Sequence, residues 1–297
     1  MADVAFLGFG ELGSALAGRL GRTGHAVRAW SRAPCDAAGV EALRARRSAA
    51  GVRPAASVRE AVSGAAAVLV TAPAGAAEAL AAEAGPHLDG DALYADLSAA
   101  PPPTKRAGAA RLAERGVRYV DVAVLGTVAV SGWATPMLAS GEGAVAFREL
   151  VAGLDVRAID APAGDAALVK LLRSVYMKGR DALVAEMLLG ARRYGLEDVL
   201  LESIGGPGEQ VPFRALSDRV MTGLAVHAGR RAEELASSVE VLREAGVDPI
   251  ATEAGAARLR TLAELGLREA FRGQRPENAR AVLDAIEERS GGAGVDA

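Results

Sequence analysis

Up to about residue 160, short apolar runs alternate with amphipathic stretches rich in Ala, Leu and Arg, and no other feature narrows the fold as much. The runs at 4–7, 27–30, 67–70, 92–95 and 119–122, with a weaker one at 156–159, have the length and composition of buried strands. The stretches at 12–22, 40–50, 57–62, 76–84 and 104–115 have a helical period, and Gly24, Gly51 and Gly116 are expected stops. Strands separated by helices pair in parallel, because each crossover returns the chain to the same end of the sheet. After Pro162 the strand signal ends. Helices are expected at 164–194, 196–204, 213–245, 250–271 and 276–289, broken by Gly-Gly-Pro-Gly at 205–208 and by residues 246–249. The expected organisation is an α/β domain with a mostly parallel, doubly wound sheet over residues 1–162, an all-helical domain over 163–290, and a disordered tail over 291–297. No period of 20 to 50 residues marks a repeat array.

Gly8-Phe9-Gly10-Glu11-Leu12-Gly13 follows the first strand directly and opens a helix. In that context the first glycine permits a tight turn, the second lets the backbone approach a pyrophosphate, and the third lets helix pack on strand. The helix N-terminus adds amide donors and a positive dipole. The α/β domain is thus expected to be of Rossmann type and to hold a dinucleotide. An NAD site carries an acid about 20 residues further on, to bind the ribose hydroxyls. Here that place reads Trp30-Ser31-Arg32, and no acid appears before Asp36. A hydroxyl and a guanidinium suit a 2′-phosphate, so NADP(H) is expected over NAD(H). Arg44, Arg46 and Arg47 either add phosphate affinity or form a solvated helix face. Thr71-Ala72-Pro73 either flanks the cofactor or is an ordinary strand exit.

Composition removes other classes. Thirty-four basic and 37 acidic side chains give a net charge of -3, which leaves no electrostatic footprint for nucleic acid. The longest apolar stretch, 65–77, is interrupted by Thr71, Pro73 and Gly75 and is too short to span a bilayer, and the N-terminus lacks the pattern of a secretory signal. A single cysteine, Cys35, excludes an intrachain disulfide and fits a cytoplasmic location; it reads as an inert thiol. His25, His87 and His227 show no metal-ligand spacing, and no Gly-x-Ser-x-Gly elbow is present.

With the glycine loop and Ser31-Arg32, the segments Asp96-Leu97-Ser98, Tyr119-Val120-Asp121-Val122-Ala123-Val124-Leu125-Gly126 and Gly164-Asp165-Ala166-Ala167-Leu168-Val169-Lys170 make the chain resemble the β-hydroxyacid dehydrogenase superfamily. That group includes 3-hydroxyisobutyrate and 6-phosphogluconate dehydrogenases. Lys178-Gly179, Glu186 and the run from His227 to Glu234 resemble a little-characterised branch with its own helical C-terminal domain. The resemblance implies that Lys170 is the catalytic lysine, on a long helix lying between the domains. An amine in a desolvated cleft has a lowered pKa and can exchange a proton with a substrate oxygen. Lys170, Ser174 and Lys178 recur every four residues along one stripe, with Met177 beside them.

The chain departs from the family pattern at several positions. Ser174 stands where the family has asparagine, and Met177 where the decarboxylating branch has a glutamate, so decarboxylation by that route is not expected. Ala123-Val124-Leu125-Gly126-Thr127 replaces Pro-Val-Ser-Gly-Gly, leaving Gly126 for close backbone approach and the Thr127 hydroxyl. Asp96-Leu97-Ser98-Ala99 keeps Ser98 at a strand end where ligands of open α/β sheets sit. His227, beside Arg230 and Arg231, either contacts a substrate anion or belongs to an ion-paired helix face.

The expectation is an NADP(H)-dependent dehydrogenase of a small, anionic 3-hydroxy acid or related carbonyl compound. Lys170 would be its general acid/base, Ser98, Gly126, Thr127, Ser174 and His227 would orient the substrate, and the helices would build a homodimer. An NADPH-dependent imine reductase and a non-catalytic NADPH-binding protein are the alternatives.

Overall fold

A computed structural model of the chain describes residues 1–32, 37–204 and 211–291. Cys35, Asp36, the 205–208 break and the tail beyond Gly291 lie outside the described residues. Two compact units are present, Met1–Ser174 and Val175–Ala297.

The first unit runs β1 (Asp3–Leu7), α1 (Glu11–Arg22), β2 (Ala26–Trp30), α2 (Ala37–Ala49), β3 (Arg53–Pro54), α3 (Val58–Val62), β4 (Ala67–Val70), α4 (Ala77–Ala84), β5 (Leu93–Asp96), α5 (Pro102–Ala113), β6 (Arg118–Val124), α6 (Val128–Ser131), β7 (Met137–Ser140), α7 (Ala144–Leu150) and β8 (Val156–Ala158). These strands form one eight-stranded sheet in the order β3-β2-β1-β4-β5-β6-β7-β8. All neighbours are parallel except β6 and β7. The strands alternate between two cores, with Val4 and Phe6 on one face and Ala5 and Leu7 on the other. That is why runs such as Ala67–Val70 are apolar throughout: both faces of a parallel sheet are covered. Helix α1 presents Leu12, Leu16 and Leu20 to the first face at a spacing of four.

Helix α8 (Asp165–Tyr194) begins in the first unit and continues into the second. There follow α9 (Glu197–Ile204), α10 (Phe213–Glu244), α11 (Ile250–Glu264), α12 (Leu267–Ala270) and α13 (Ala279–Arg289), and the second unit has no strand among the described residues. Its small core gathers Ala225, Leu267 and Val282 with Met221, Phe271 and Ile286. Carboxylates from other helices hold two N-termini in place. Glu186 of α8 accepts from the amides of Ala251 (2.6 Å) and Thr252 (3.0 Å) and from the Thr252 hydroxyl (2.7 Å), and Asp218 of α10 accepts from the Ala279 amide (2.8 Å).

Two expectations are corrected. The single helix at 250–271 is two, because Gly266 adopts a left-handed conformation (φ +63°) that ends α11. The last helix starts at Ala279 and not at 276, because the Asn278 side chain caps it by accepting from the Ala281 amide at 3.0 Å. Strands β3 and β7 and helices α6 and α7 are additions to the elements read from the sequence.

Candidate active site

The chain leaves β1 towards β2 on one side and returns to β4 on the other, which opens a crevice at the carboxyl ends of β1 and β4. A cavity of about 890 Å³ lies there. Gly8, Phe9, Gly10, Ser31, Arg32, Thr71, Ala72 and Pro73 all line it, so residues from three strand ends meet at one place. Gly8 has φ +93°, and a Cβ there would stand 2.7 Å from the Ala72 nitrogen. Gly13 packs under Thr71, where a Cβ would meet Oγ1 at 2.7 Å. The Thr71 hydroxyl donates to the Gly8 carbonyl at 2.8 Å, so Thr71 also fastens the turn. A Cβ on Gly10, by contrast, would project into open space.

Those features fit a dinucleotide. The space beside Gly10 is where a pyrophosphate would approach the backbone, and the first amides of α1, from Glu11 to Gly13, have no intrahelical acceptor. Phe9 is buried edge-on against Phe6, with ring centroids 6.3 Å apart, which fixes the loop to the core. Around Ser31, the three arginines of α2 separate in role. Arg46 lines the cavity, Arg47 donates to the Ser31 hydroxyl at 3.4 Å, and Arg44 turns to Glu41 at 3.4 Å. Burial holds the Arg47 guanidinium below its usual pKa.

A second set of polar groups lies beneath the start of α8. Asp96 of β5, Asp121 of β6 and Ser140 of β7 are register partners, and so form one row across three strands. Two carboxylates opposite one another on neighbouring strands repel. Lys105 of α5 sits between them, 1% exposed, with Nζ 3.1 Å from Asp96 and 3.4 Å from Asp121. It also donates to the carbonyls of Asp96 (2.7 Å) and Ser98 (3.0 Å). Tyr119 donates to the other Asp96 oxygen at 2.8 Å, and burial, followed by the Asp96 charge, raises its phenol pKa. The second Asp121 oxygen accepts from the amides of Gly164 (3.1 Å) and Ala167 (2.8 Å), and Ser140 accepts from Ala166 at 3.0 Å. The row therefore caps α8, one turn before Lys170.

Lys170 is half-buried. Burial, then the neighbouring Lys105 charge, holds its amine below the usual lysine pKa, against the opposing pull of Asp121. Ser98 is buried in the same cluster, its hydroxyl accepting from the Ala100 amide at 3.3 Å. Gly126 and Thr127 follow the end of β6, exposed, and the Thr127 side chain makes no cap bond to α6. The Ser174 hydroxyl donates back to the Lys170 carbonyl at 3.0 Å, which leaves it free only to accept. In the second unit, His227 sits on α10; burial and then Arg230, Arg275, Arg231 and Arg268 lower its pKa. Arg230 is itself paired with Glu234. No group of His, Cys, Asp or Glu among the described residues is placed to hold a metal.

Sequence reasoning missed Lys105, Asp121 and Ser140 as site residues. A signal was present for Asp121: an acid inside an otherwise apolar strand must find a partner when buried.

Fold and cavity together define a dinucleotide-binding α/β unit joined to a helical one. The chain belongs to the family described as the NAD binding domain of 6-phosphogluconate dehydrogenase, matched over residues 3–156. A domain of unknown function (DUF1932) is matched over residues 191–262. An uncharacterized 28.5 kDa protein from the 7S RNA 5′ region of Methanothermus fervidus is 28% identical over 159 residues, which are 53% of this chain and 61% of that protein. The aligned part thus spans under two thirds of that relative. The conserved protein MTH1747, of unknown function and described as structurally similar to 3-hydroxyacid dehydrogenases, is 29% identical with a TM-score of 0.61 over 88% of this chain and 97% of that one. A reductive aminase from Aspergillus terreus, 19% identical, shares the fold with a TM-score of 0.72 over 96% of this chain and 99% of its own. Among the described residues no helix is long and apolar enough to cross a membrane.

Proposed function

We propose that the protein is a cytoplasmic, NADP(H)-dependent oxidoreductase acting on a small 3-hydroxy acid or a related aldehyde or keto compound, with Lys170 as general acid/base. The observation that carries this reading is the Lys170 amine: half-buried, on a capped helix, and with a lowered pKa. When bound, the nicotinamide supplies a hydride acceptor or donor. In the oxidative direction the substrate O–H proton passes to Lys170 Nζ as the C–H bond gives up its electron pair. In reduction the Lys170 ammonium returns that proton to the carbonyl oxygen. Ser98, Gly126, Thr127 and Ser174 are the proposed substrate contacts, and Arg32 and Arg46 favour a 2′-phosphate.

A second reading is imine reduction, in which the ammonium serves a C=N group. The Ser174 hydroxyl bound back to Lys170 and the apolar Ala123-Val124-Leu125 segment favour it, since both leave fewer donors for a carboxylate.

The experiment is turnover of hydroxy acids, semialdehydes, keto acids and cyclic imines with NADPH, NADP+ and NADH, comparing wild type with Lys170→Ala. Loss of about 100-fold or more in Lys170→Ala, with NADPH binding intact, is expected. Oxidation should rise with pH through the Lys170 pKa, because the neutral amine is the base, and reduction should fall over the same range. A folded Lys170→Ala enzyme with near wild-type turnover would refute the role. Cofactor binding with no turnover of any substrate would point to a binding protein.

The exposed apolar face of α8 supports a homodimer. Leu168, Val169, Leu171, Leu172, Val175 and Tyr176 face several directions around the helix, and Leu172 and Val175 are 62% and 72% exposed in the single chain. Six exposed apolar side chains within residues 168–176 of one helix mark an interaction surface.

A further inference from the structure

We propose that Lys105 is a positioning residue for Lys170: between Asp96 and Asp121 it sets the net charge under the start of α8, while Asp121 fixes where the Lys170 amine sits. This rests on the reading of Lys170 as the acid/base. Lys105 itself is too buried to touch substrate, and its Nζ is engaged by Asp96, Asp121 and the Ser98 carbonyl.

The cluster is poorly explained as a stabilising device. Taking one ammonium and two carboxylates out of water costs several kcal/mol per ion, and apolar side chains of similar size often serve stability as well or better. What the charges do is local. Asp121 divides its two oxygens, one to Lys105 and the other to the Gly164 and Ala167 amides. Ala167 and Lys170 are three residues apart on α8, and so lie on one side of the helix. With Lys105 in place, two carboxylates and one ammonium leave one net negative charge, which balances Lys170 only when its amine is protonated. Without Lys105 there would be two.

Among the described residues, the charges acting on the Lys170 amine come from two other elements. Lys105 comes from α5, Asp121 from β6, and on its own helix Asp165 is tied to Arg106 of α5 at 3.7 Å. The lowered pKa of Lys170, to which the Lys105 charge contributes, agrees with this geometry.

The sequence makes the test clean, because Lys105, Lys170 and Lys178 are its only lysines. Full-length protein labelled with [ε-13C]lysine gives three side-chain signals, and Lys170→Arg identifies the one from Lys170. Their titration is followed by NMR in wild type, Lys105→Met and Asp121→Asn. Lys105→Met should raise the Lys170 midpoint by about one pH unit, because a cation beside it is lost and two carboxylates remain. Asp121→Asn, whose amide oxygen still accepts from Gly164 and Ala167, should lower the midpoint. Should Lys105→Met fail to fold, the downward shift in Asp121→Asn carries the test alone. Midpoints that stay in place, or move the same way in both folded variants, would overturn the proposal. In an active preparation the pH limb of turnover should move with the NMR midpoint. If the midpoints move as expected and the limb does not, the charge device stands and the acid/base assignment of Lys170 fails.

Discussion

Gly8 and Gly10 lie two residues apart in one loop, yet an added methyl group would do different damage at each. At Gly8 a Cβ collides with the Ala72 backbone and the backbone angle is one that alanine adopts only under strain. Gly8→Ala should therefore lose about 2 kcal/mol of stability, read in urea unfolding. Gly10→Ala meets nothing, so its melting temperature should match wild type while its Kd for NADPH rises about tenfold or more, because the methyl fills the pyrophosphate position. Equal melting and equal Kd would show that the dinucleotide sits elsewhere. These glycines and Arg32 were legible because their signals are local, a spacing within one strand–turn–helix. Lys105 was not legible. In the sequence it is one cation beside Arg106 on an amphipathic helix, and only the pairing of Asp96 with Asp121 places it in the interior.

Helices α8, α11 and α13 each begin on a carboxylate supplied by a different element: Asp121, Glu186 and Asp218. Such caps fix a helix start in space as well as satisfying its free amides, and they stabilise more when the acid is ionised. For Glu186, burial pushes the pKa up, but hydrogen bonds from Ala251 and Thr252 outweigh it and hold the carboxyl below its usual value. The sign follows: its contribution is present above the ordinary glutamate range and is lost as pH falls through the lowered value. Glu186→Ala should cost about 1 kcal/mol at neutral pH, and less as the solution is acidified towards pH 3. An equal loss at both pH values would refute the cap. The element order was largely readable, down to the bounds of β4. Two-residue β3 cannot display a period, and Met137-Leu138-Ala139-Ser140, with no β-branched or aromatic residue, does not announce β7, whose antiparallel sense is set by the loop from β6.

For the whole molecule, the apolar surface of α8 sets the expectation. Burying one leucine or valine fully yields about 1.5–3 kcal/mol, so covering the exposed set with a second copy is a strong drive to associate. Light scattering should give twice the 30.2 kDa chain mass at micromolar concentration, and Leu172→Glu should return the single-chain mass. A monomer in wild type would remove the homodimer from the proposed function. Strand β6 carries a further consequence. Asp121 in its middle is tied to α8 by hydrogen bonds, while its last residue, Val124, leads into the exposed Gly126 and Thr127. One strand thus carries a residue bound to a helix start in its middle and leads into an exposed loop at its end. Slipping β6 by a single residue would turn Asp121 to the opposite face and release α8. Replacing Thr127 leaves that anchor untouched, so the loop after β6 can change its chemistry while α8 keeps its start.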